Sequence, residues 1–449
     1  MASTKLTRTN GTPTSQQKFT YSSWVKRSAL GEGHITQGFY SNSTNYNHVN
    51  FLNTDRLDFI NYEGSTTARK ITTAKFRDVS AWYHIVVAVD TTLGTANDRI
   101  KMYVNGVLQT VFDTNTAPSQ NANLGVDLTT QAIGVGEGGS TSYLNGLMSH
   151  AHYTDGYVYD ATAFGEYDAN GVWKIKTSPS VTYGTNGYWI LKDGNSVTDQ
   201  SGNSNNFTVG GGTLTNTEDS PSNVFCTMNP LSPQTYTFSN GNNTLTRASG
   251  TSQSSAISTL ATSSGKWYWE LKLNSGLSDY PRVGIYKVSN ADNHVYTTYP
   301  GNASGGTSKW WGSGTVTTGI IADGTGSTIP FYSYTNGDIL MFAMDNDNGK
   351  VWFGKNGTWY TNNNSTTTTG SAISNNTATP AFSTVTVGET WCPVVFANAS
   401  AENWSLNFGN GYFGTTAVSS AGTNASGNGI FEYDVPTGFT ALSTKGLNL

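Results

Sequence analysis

Charge is what this 449-residue chain has least of. Asp, Glu, Lys and Arg together make up 12% of it, about half the share of an average soluble domain. The 24 basic and 29 acidic residues leave a formal charge of −5 and never gather into a basic run. The phosphate-neutralising footprint of a nucleic-acid binder is therefore missing. Long apolar runs are missing too, which excludes a membrane-spanning helix. The opening stretch, Met1 to Arg8, lacks the apolar core of a signal peptide. Cysteine is reduced to Cys226 and Cys392, too few to staple a chain of this length. They read as two buried free thiols, with one bridge between them as the alternative. Zinc held by them lacks partners, because the six histidines are scattered through other segments.

In place of charge there are 50 Gly, 24 Tyr, 12 Trp and a visible excess of Thr, Ser and Asn. So many aromatics, so evenly spread, argue against disorder. They suit a rigid β-structure with Gly/Asn turns and a surface made polar by hydroxyls and amides. The length calls for two or three domains. An exterior-like composition without a secretion signal suits a protein assembled inside a cell and released by lysis; a cytosolic β-rich protein is the plainer alternative.

The strongest β pattern comes early. Thr20-Tyr-Ser-Ser-Trp-Val-Lys-Arg27 alternates as a half-buried strand does, with Trp24 its largest apolar side chain. Trp82-Tyr-His-Ile-Val-Val-Ala-Val89 is a denser apolar run. Arg99-Ile-Lys-Met-Tyr-Val-Asn-Gly-Val107 reads as a strand, an Asn-Gly type I′ turn and the start of another strand. With Leu144-Asn-Gly-Leu-Met-Ser149, these segments resemble the successive signature strands of the laminin-G/concanavalin-A-like jelly-roll family. That resemblance implies glycans as partners, with calcium as a cofactor in some members, and places catalytic glucanases in the same superfamily.

Residues 161–234 change texture, with widely spaced aromatics among Gly/Asn turns, and are expected to form an ordered but irregular connecting arm. Beyond them, Gly265-Lys-Trp-Tyr-Trp-Glu270 puts Trp267 and Trp269 on one strand face and Tyr268 on the other. Gly337 to Met344, the Asp345-to-Lys350 turn and Val351 to Trp359 make a hairpin followed by a second Asn-Gly turn. With Trp391 to Phe396 and Leu406 to Gly409, this order resembles a SPRY sandwich, a protein-binding fold. The expected architecture is all-β: two antiparallel β-sandwiches, at 1–160 and 235–413, joined by the arm and followed by a docking tail at 414–449. The order of motifs in the arm and tail is similar to that of virion proteins of marine tailed phages. This resemblance implies a structural protein of the particle, above all a tail-fibre or other exposed tail protein. It would be assembled in the host cytoplasm, carried in the virion and bound to other virion proteins and a host-surface glycan, as a homo-oligomer with a trimer favoured. The alternatives are a head-decoration, head-fibre or collar protein and, outside that class, a cell-surface glycan hydrolase.

Enzymatic chemistry finds little support. The paired carboxylates of a glycosidase have as nearest candidates Asp55 with Asp58, Glu166 with Asp168, and Asp345 with Asp347, and turn chemistry explains the last pair. No nucleophile elbow, His-Glu-x-x-His or phosphate loop occurs. The chain is therefore read as non-catalytic. His84 reads as a strand histidine that is half-exposed or satisfied by a hydrogen bond, and His150 with His152 lacks a third metal ligand. For calcium, Asp90 and Asp98 flank the loop after the central strand and Asp55 lies in another. For a sugar, aromatic planes in or beside loops are the candidates: Tyr40, Tyr46, Tyr299, Trp310 and Trp311. For Trp310 and Trp311 the competing reading is one ring on each side of a strand, packed into core and protomer contact.

Overall fold

Phe19, Tyr21 and Val25 alternate with Thr20, Ser22 and Trp24, and the strand Lys18–Arg27 accordingly turns the first set into the interior of a sandwich. Around it the computed structural model is built almost wholly from antiparallel sheets. Residues 3–448 are described, apart from 193–195, 233–234, 249, 251–253, 278–280, 291–307, 314–318, 323–327, 363–365 and 398–400. The chain forms two compact units, residues 1–216 with 220–222, and 217–219 with 223–449. Among the described residues the α-helix present is the short Gly370–Ser374, and no helix is long and apolar enough to cross a membrane.

In the first unit a six-stranded sheet runs Tyr188–Ile190, Gly146–Asp155, Lys18–Arg27, Trp82–Asp90, Ile100–Val104, Val107–Leu108. It faces an eight-stranded sheet ordered Phe112–Thr116, Thr66–Lys75, Arg56–Glu63, Asn45–Phe51, His34–Asn42, Thr130–Ile133, Lys5–Thr9, Thr208–Gly210. Asn105 and Gly106 both take positive φ, 49° and 81°, as a type I′ turn requires. The core holds Phe19, Tyr21, Phe39, Phe59, Val87 and Met102 among others. Each large side chain fully buried there contributes roughly 1.5–3 kcal/mol.

The connecting arm is not a separate module. Tyr188–Ile190 pairs with Ala151 to Tyr153, and Thr208–Gly210 pairs with Lys5 to Thr7, so both complete the sheets of the first sandwich. The loop between them is shaped by the Asp199 carboxylate, which accepts the backbone N–H groups of Trp189, Ser201 and Asn205 at 2.8–2.9 Å. Upstream, Ala161 and Phe164 pack on Val86, whose side chain faces away from the core. This explains why Trp82 to Val89 is apolar without alternation: the strand is covered on both faces.

In the second unit one sheet includes the run Thr237–Ser239, Thr244–Arg247, Glu402–Asn407, Lys266–Ser275, Ile339–Asp345, Lys350–Lys355, Thr358–Tyr360, Thr367–Thr368. Its partner sheet is ordered Ser254–Ile257, Trp391–Ala397, Arg282–Lys287, Ser308–Ser313, Gly319–Ala322, Thr328–Phe331. Trp267 and Trp269 enter the core between the sheets, where Trp269 stacks on Phe342 at 5.4 Å, while Tyr268 takes the other face. The tail docks on this unit: Thr440–Ala441 pairs in parallel with Trp267 and Tyr268, and Phe431 and Phe439 are buried beside Tyr268 and Trp352.

Candidate ligand-binding face

Three adjacent strands of the eight-stranded sheet each bring a tyrosine to the same level. Tyr40 stands opposite Tyr46, and Tyr46 opposite Tyr62. Residues paired in this way share one face of a sheet, and here it is the face turned from the core. The alternate residues Phe39, Val49 and Phe59 point inward, as does Asn47, whose amide accepts from Tyr21 Oη at 2.8 Å. Tyr46 is stacked on Tyr62 (5.1 Å between ring centroids, 10°) and on His48 (4.8 Å, 6°). The three tyrosines are half-buried, so part of each ring remains accessible.

One step along the strands lies a polar second row. A Cβ at Gly38 would stand 2.5 Å from His48 Cβ, so this glycine makes room for the imidazole above its strand. His48 Nε2 takes the amide N–H of Asn50 at 3.1 Å, a bond that requires a neutral ring. Burial, reinforced by the Arg69 charge, pushes the His48 pKa down to about 3. Asp58, opposite Asn50, accepts both Arg69 Nε (3.2 Å) and Nη2 (2.9 Å). Burial raises the Asp58 pKa, with Arg69 pulling back. The face thus offers ring planes and a half-exposed guanidinium held in fixed positions, while Asn50 and Asp58 are buried and bonded to their neighbours. Tyr62, His48, Asn50 and Arg69 escape the sequence reading, and Asp58 enters it only as a partner for Asp55, because only the register between strands brings them beside Tyr46.

The remaining candidates disperse. Tyr40 and Tyr46 lie within strands, on either side of the turn at Ser43 and Thr44, and the Tyr40 hydroxyl is tucked under Gly139. Trp310 and Trp311 are not exposed stacking faces. They sit in Ser308–Ser313, hydrogen-bonded between two other strands, so alternation sends them to opposite sides. Trp311 is fully buried in the core, near Phe353 and Tyr334, and donates its indole N–H to Tyr332 O at 2.7 Å. Trp310 is buried in a second apolar layer with Tyr286 and Phe396, under the Arg282 guanidinium. Tyr299 lies outside the described residues.

The calcium candidates share no site. Asp55 takes Arg27 Nη2 and Arg77 Nε at 3.0 Å and the Gly31 N–H at 2.9 Å. Burial opposes its charge, but these donors outweigh burial and hold the carboxyl below its usual range. Asp90 is paired with Lys18 at 3.2 Å, at the other end of Lys18–Arg27, and nine residues of strand separate the two by roughly 30 Å. Asp98 is exposed, 3.7 Å from Lys101. The loop between Asp90 and Asp98 already turns its carbonyls to a cation: Arg99 donates to Leu93 O and Gly94 O there and to Pro118 O of another loop, at 2.8–3.0 Å. Among the described residues no group of three His, Cys, Asp or Glu could hold a metal ion.

The acidic pairs have structural employment. Asp345 accepts from the Asn348 backbone N–H (3.0 Å) and amide (2.8 Å), and Asp347 from the Gly265 N–H (2.8 Å). Asp168 caps its own turn through Asn170 and Val172. His84 is buried between Ser22 Oγ (2.9 Å) and the Trp173 indole N–H (3.0 Å), stacked on Trp24 at 4.8 Å. Burial brings its pKa down to about 3. His152 shares a hydrogen bond with the Tyr183 hydroxyl at 3.0 Å.

Among solved structures, the chain has SPRY-like neighbours of low overall similarity. The SPRY domain of human HERC1 is 19% identical and covers 40% of this chain and 96% of its own, with a TM-score of 0.30. A human SPRY domain is 17% identical over 38% of this chain and 94% of its own, with a TM-score of 0.26. Comparison with curated proteins finds no match. Residues 2–156 match the laminin-G family described as the concanavalin A-like lectin/glucanases superfamily, and they form the concanavalin-like part of an all-β chain.

Proposed function

We propose that this chain is a non-catalytic structural protein of a tailed-phage particle, exposed on the tail, whose first sandwich binds a host-surface glycan across the Tyr40–Tyr46–Tyr62 row. The observation that carries the glycan reading is the row itself: half-buried rings on three neighbouring strands, flanked by the half-exposed Arg69 guanidinium. Flat aromatic faces with converging polar groups are what sugar recognition uses. The virion setting rests on the charge-poor, aromatic-rich composition and on the order of motifs in the arm and tail. Exposed Val107, Val111, Tyr167 and Val172 on the first unit suit packing against protein neighbours, and a homo-oligomer is proposed.

A glycan array tests the first part. The protein should bind a subset of host-surface saccharides, and Tyr46→Ala with Tyr62→Ala should abolish that binding while the fold persists. Binding that survives the double variant refutes the site. For the setting, a particle reconstruction should show the subunit on the tail, and density on the capsid lattice would refute it. Light scattering that finds a stable monomer at micromolar concentration refutes the oligomer.

A further inference from the structure

The second unit has a groove of about 710 Å³ on its own surface, walled by residues far apart in sequence. That volume lies within the range of small-molecule sites, roughly 300–1,000 Å³. The Asn356-Gly357 turn with Trp359 forms one side, the residues around Gly370 another, and two stretches of the C-terminal tail, 420–423 and 432–437, the rest. We propose that this groove is a second binding site, one for a neutral saccharide, independent of the tyrosine row on the first unit.

Three features define the ligand. Trp359 is only 4% exposed, yet its indole N–H makes no hydrogen bond among the described residues and is not one of the polar atoms sealed from solvent. Nε1 lies 4.0 Å from where a Cβ on Gly370, a groove residue, would stand. A donor open to solvent on a ring that is otherwise nine-tenths buried is available to an acceptor that enters the groove. Tyr433, from the C-terminal tail, lays its ring over Gly357, whose absent Cβ would be 3.1 Å from Cδ1; the half-buried ring offers a partial face and a phenol. Finally, the lining includes the carboxylates of Glu432 and Asp434 and the hydroxyls of Thr369, Ser371 and Ser374, but no Lys, Arg or His. An anionic ligand is thereby disfavoured, and a polyol that donates to carboxylates is favoured.

The wall is held in place before any ligand arrives. The backbone N–H groups of Glu432 and Tyr433 donate to the two oxygens of buried Glu270 at 2.9 Å, and Tyr268 Oη donates to the same carboxyl at 2.8 Å. Asp434 accepts from Thr423 N and Oγ1 at 2.6 and 2.8 Å, which ties the two tail stretches together. Each carboxylate keeps further acceptor capacity for a sugar hydroxyl. Such pre-ordering lowers the entropy cost of binding.

The test uses the full chain carrying Tyr46→Ala and Tyr62→Ala, so that the first unit is silent. Calorimetric titration with neutral gluco- and galacto-oligosaccharides of three to five units should detect binding, and a sialylated trisaccharide should not bind. Trp359→Phe keeps the ring and removes the N–H; Tyr433→Ala removes the wall ring. Each should weaken binding about tenfold, the equivalent of about 1.4 kcal/mol, with Trp359→Phe still giving a cooperative melting transition for the second unit, lowered by the volume its buried indole leaves. The proposal is overturned by absence of binding to every neutral oligosaccharide at millimolar concentration, by binding indifferent to both substitutions, or by preference for the anionic sugar or a peptide. Loss of binding only in the Tyr46/Tyr62 variant, with the parent chain binding normally, would assign all recognition to the first unit and equally overturn it.

Discussion

Acidification should move the two units in opposite directions. Five of the six histidines lie in the first unit, and His48 and His84 are buried there with pKa values depressed to about 3 by burial. A histidine whose folded pKa lies below its unfolded value, near 6.5, contributes stability that is complete above pH 6.5. That contribution is lost as pH falls toward 3, because only the unfolded chain takes up the proton. At pH 5 each costs about 2 kcal/mol, so the pair costs about 4 kcal/mol. His34 and His152 shift in the same direction. Asp58 opposes them, its carboxyl being raised by burial, while Asp55 and Asp90 sit below their usual range and respond only at lower pH. The second unit buries carboxyls instead: Glu270 and Glu402 are pushed up to about 7 and about 8 by desolvation. Their contribution is complete below the unfolded value near 4.5 and is lost as pH rises through 7 to 8. Going from pH 7.5 to 5 therefore returns about 2–3 kcal/mol for each. For units of about 200 residues, 1 kcal/mol moves the melting temperature about 2–4 °C. Differential scanning calorimetry of the full chain between pH 7.5 and 5 should show the first unit's transition falling by about 8–16 °C while the second rises. His48→Gln should reduce the first slope by one proton. Two transitions that move together, or a first unit indifferent to pH 5, would refute the reasoning.

Three further outcomes are expected. Trp311→Ala should destabilise the second unit by about 3–5 kcal/mol, the cost of emptying a large core site, read by urea unfolding; a loss below 1 kcal/mol contradicts its burial between the sheets. Gly106→Ala should destabilise the first unit by more than about 1 kcal/mol. The residue has φ 81°, and the new Cβ would stand 2.6 Å from the Trp173 ring, so the tryptophan emission should shift as that ring leaves His84. Arg99→Met should strip three loop carbonyls of their donor and cost about 2–3 kcal/mol; an unchanged melting temperature would show that the guanidinium is dispensable.

The sequence alone settled matters of period and turn chemistry. Alternation from Thr20 to Arg27 and from Lys266 to Glu270, punctuated by Asn105-Gly106 and Asn356-Gly357, specifies β-strands and I′ hairpins because those signals act over a few neighbouring residues. Whether a strand is covered on one face or two was not legible in the same way. Trp82 to Val89 is continuously apolar because Ala161 and Phe164 come back over it, a contact across some eighty residues that no local period encodes. For Trp310 and Trp311 the sequence already offered one ring on each side of a strand beside the loop reading, and pairing of Ser308–Ser313 with a strand on either side decides for the first. Arm residues 188–190 and 208–210 look irregular because each strand is three residues long, too short to show a period, and pairing alone makes them sheet. The tyrosine row is the clearest division. Alternation puts Tyr46 and His48 on one face of one strand and Tyr62 on one face of another. Only the antiparallel register, fixed by how the buried faces interlock, decides that Tyr40, Tyr46 and Tyr62 stand side by side.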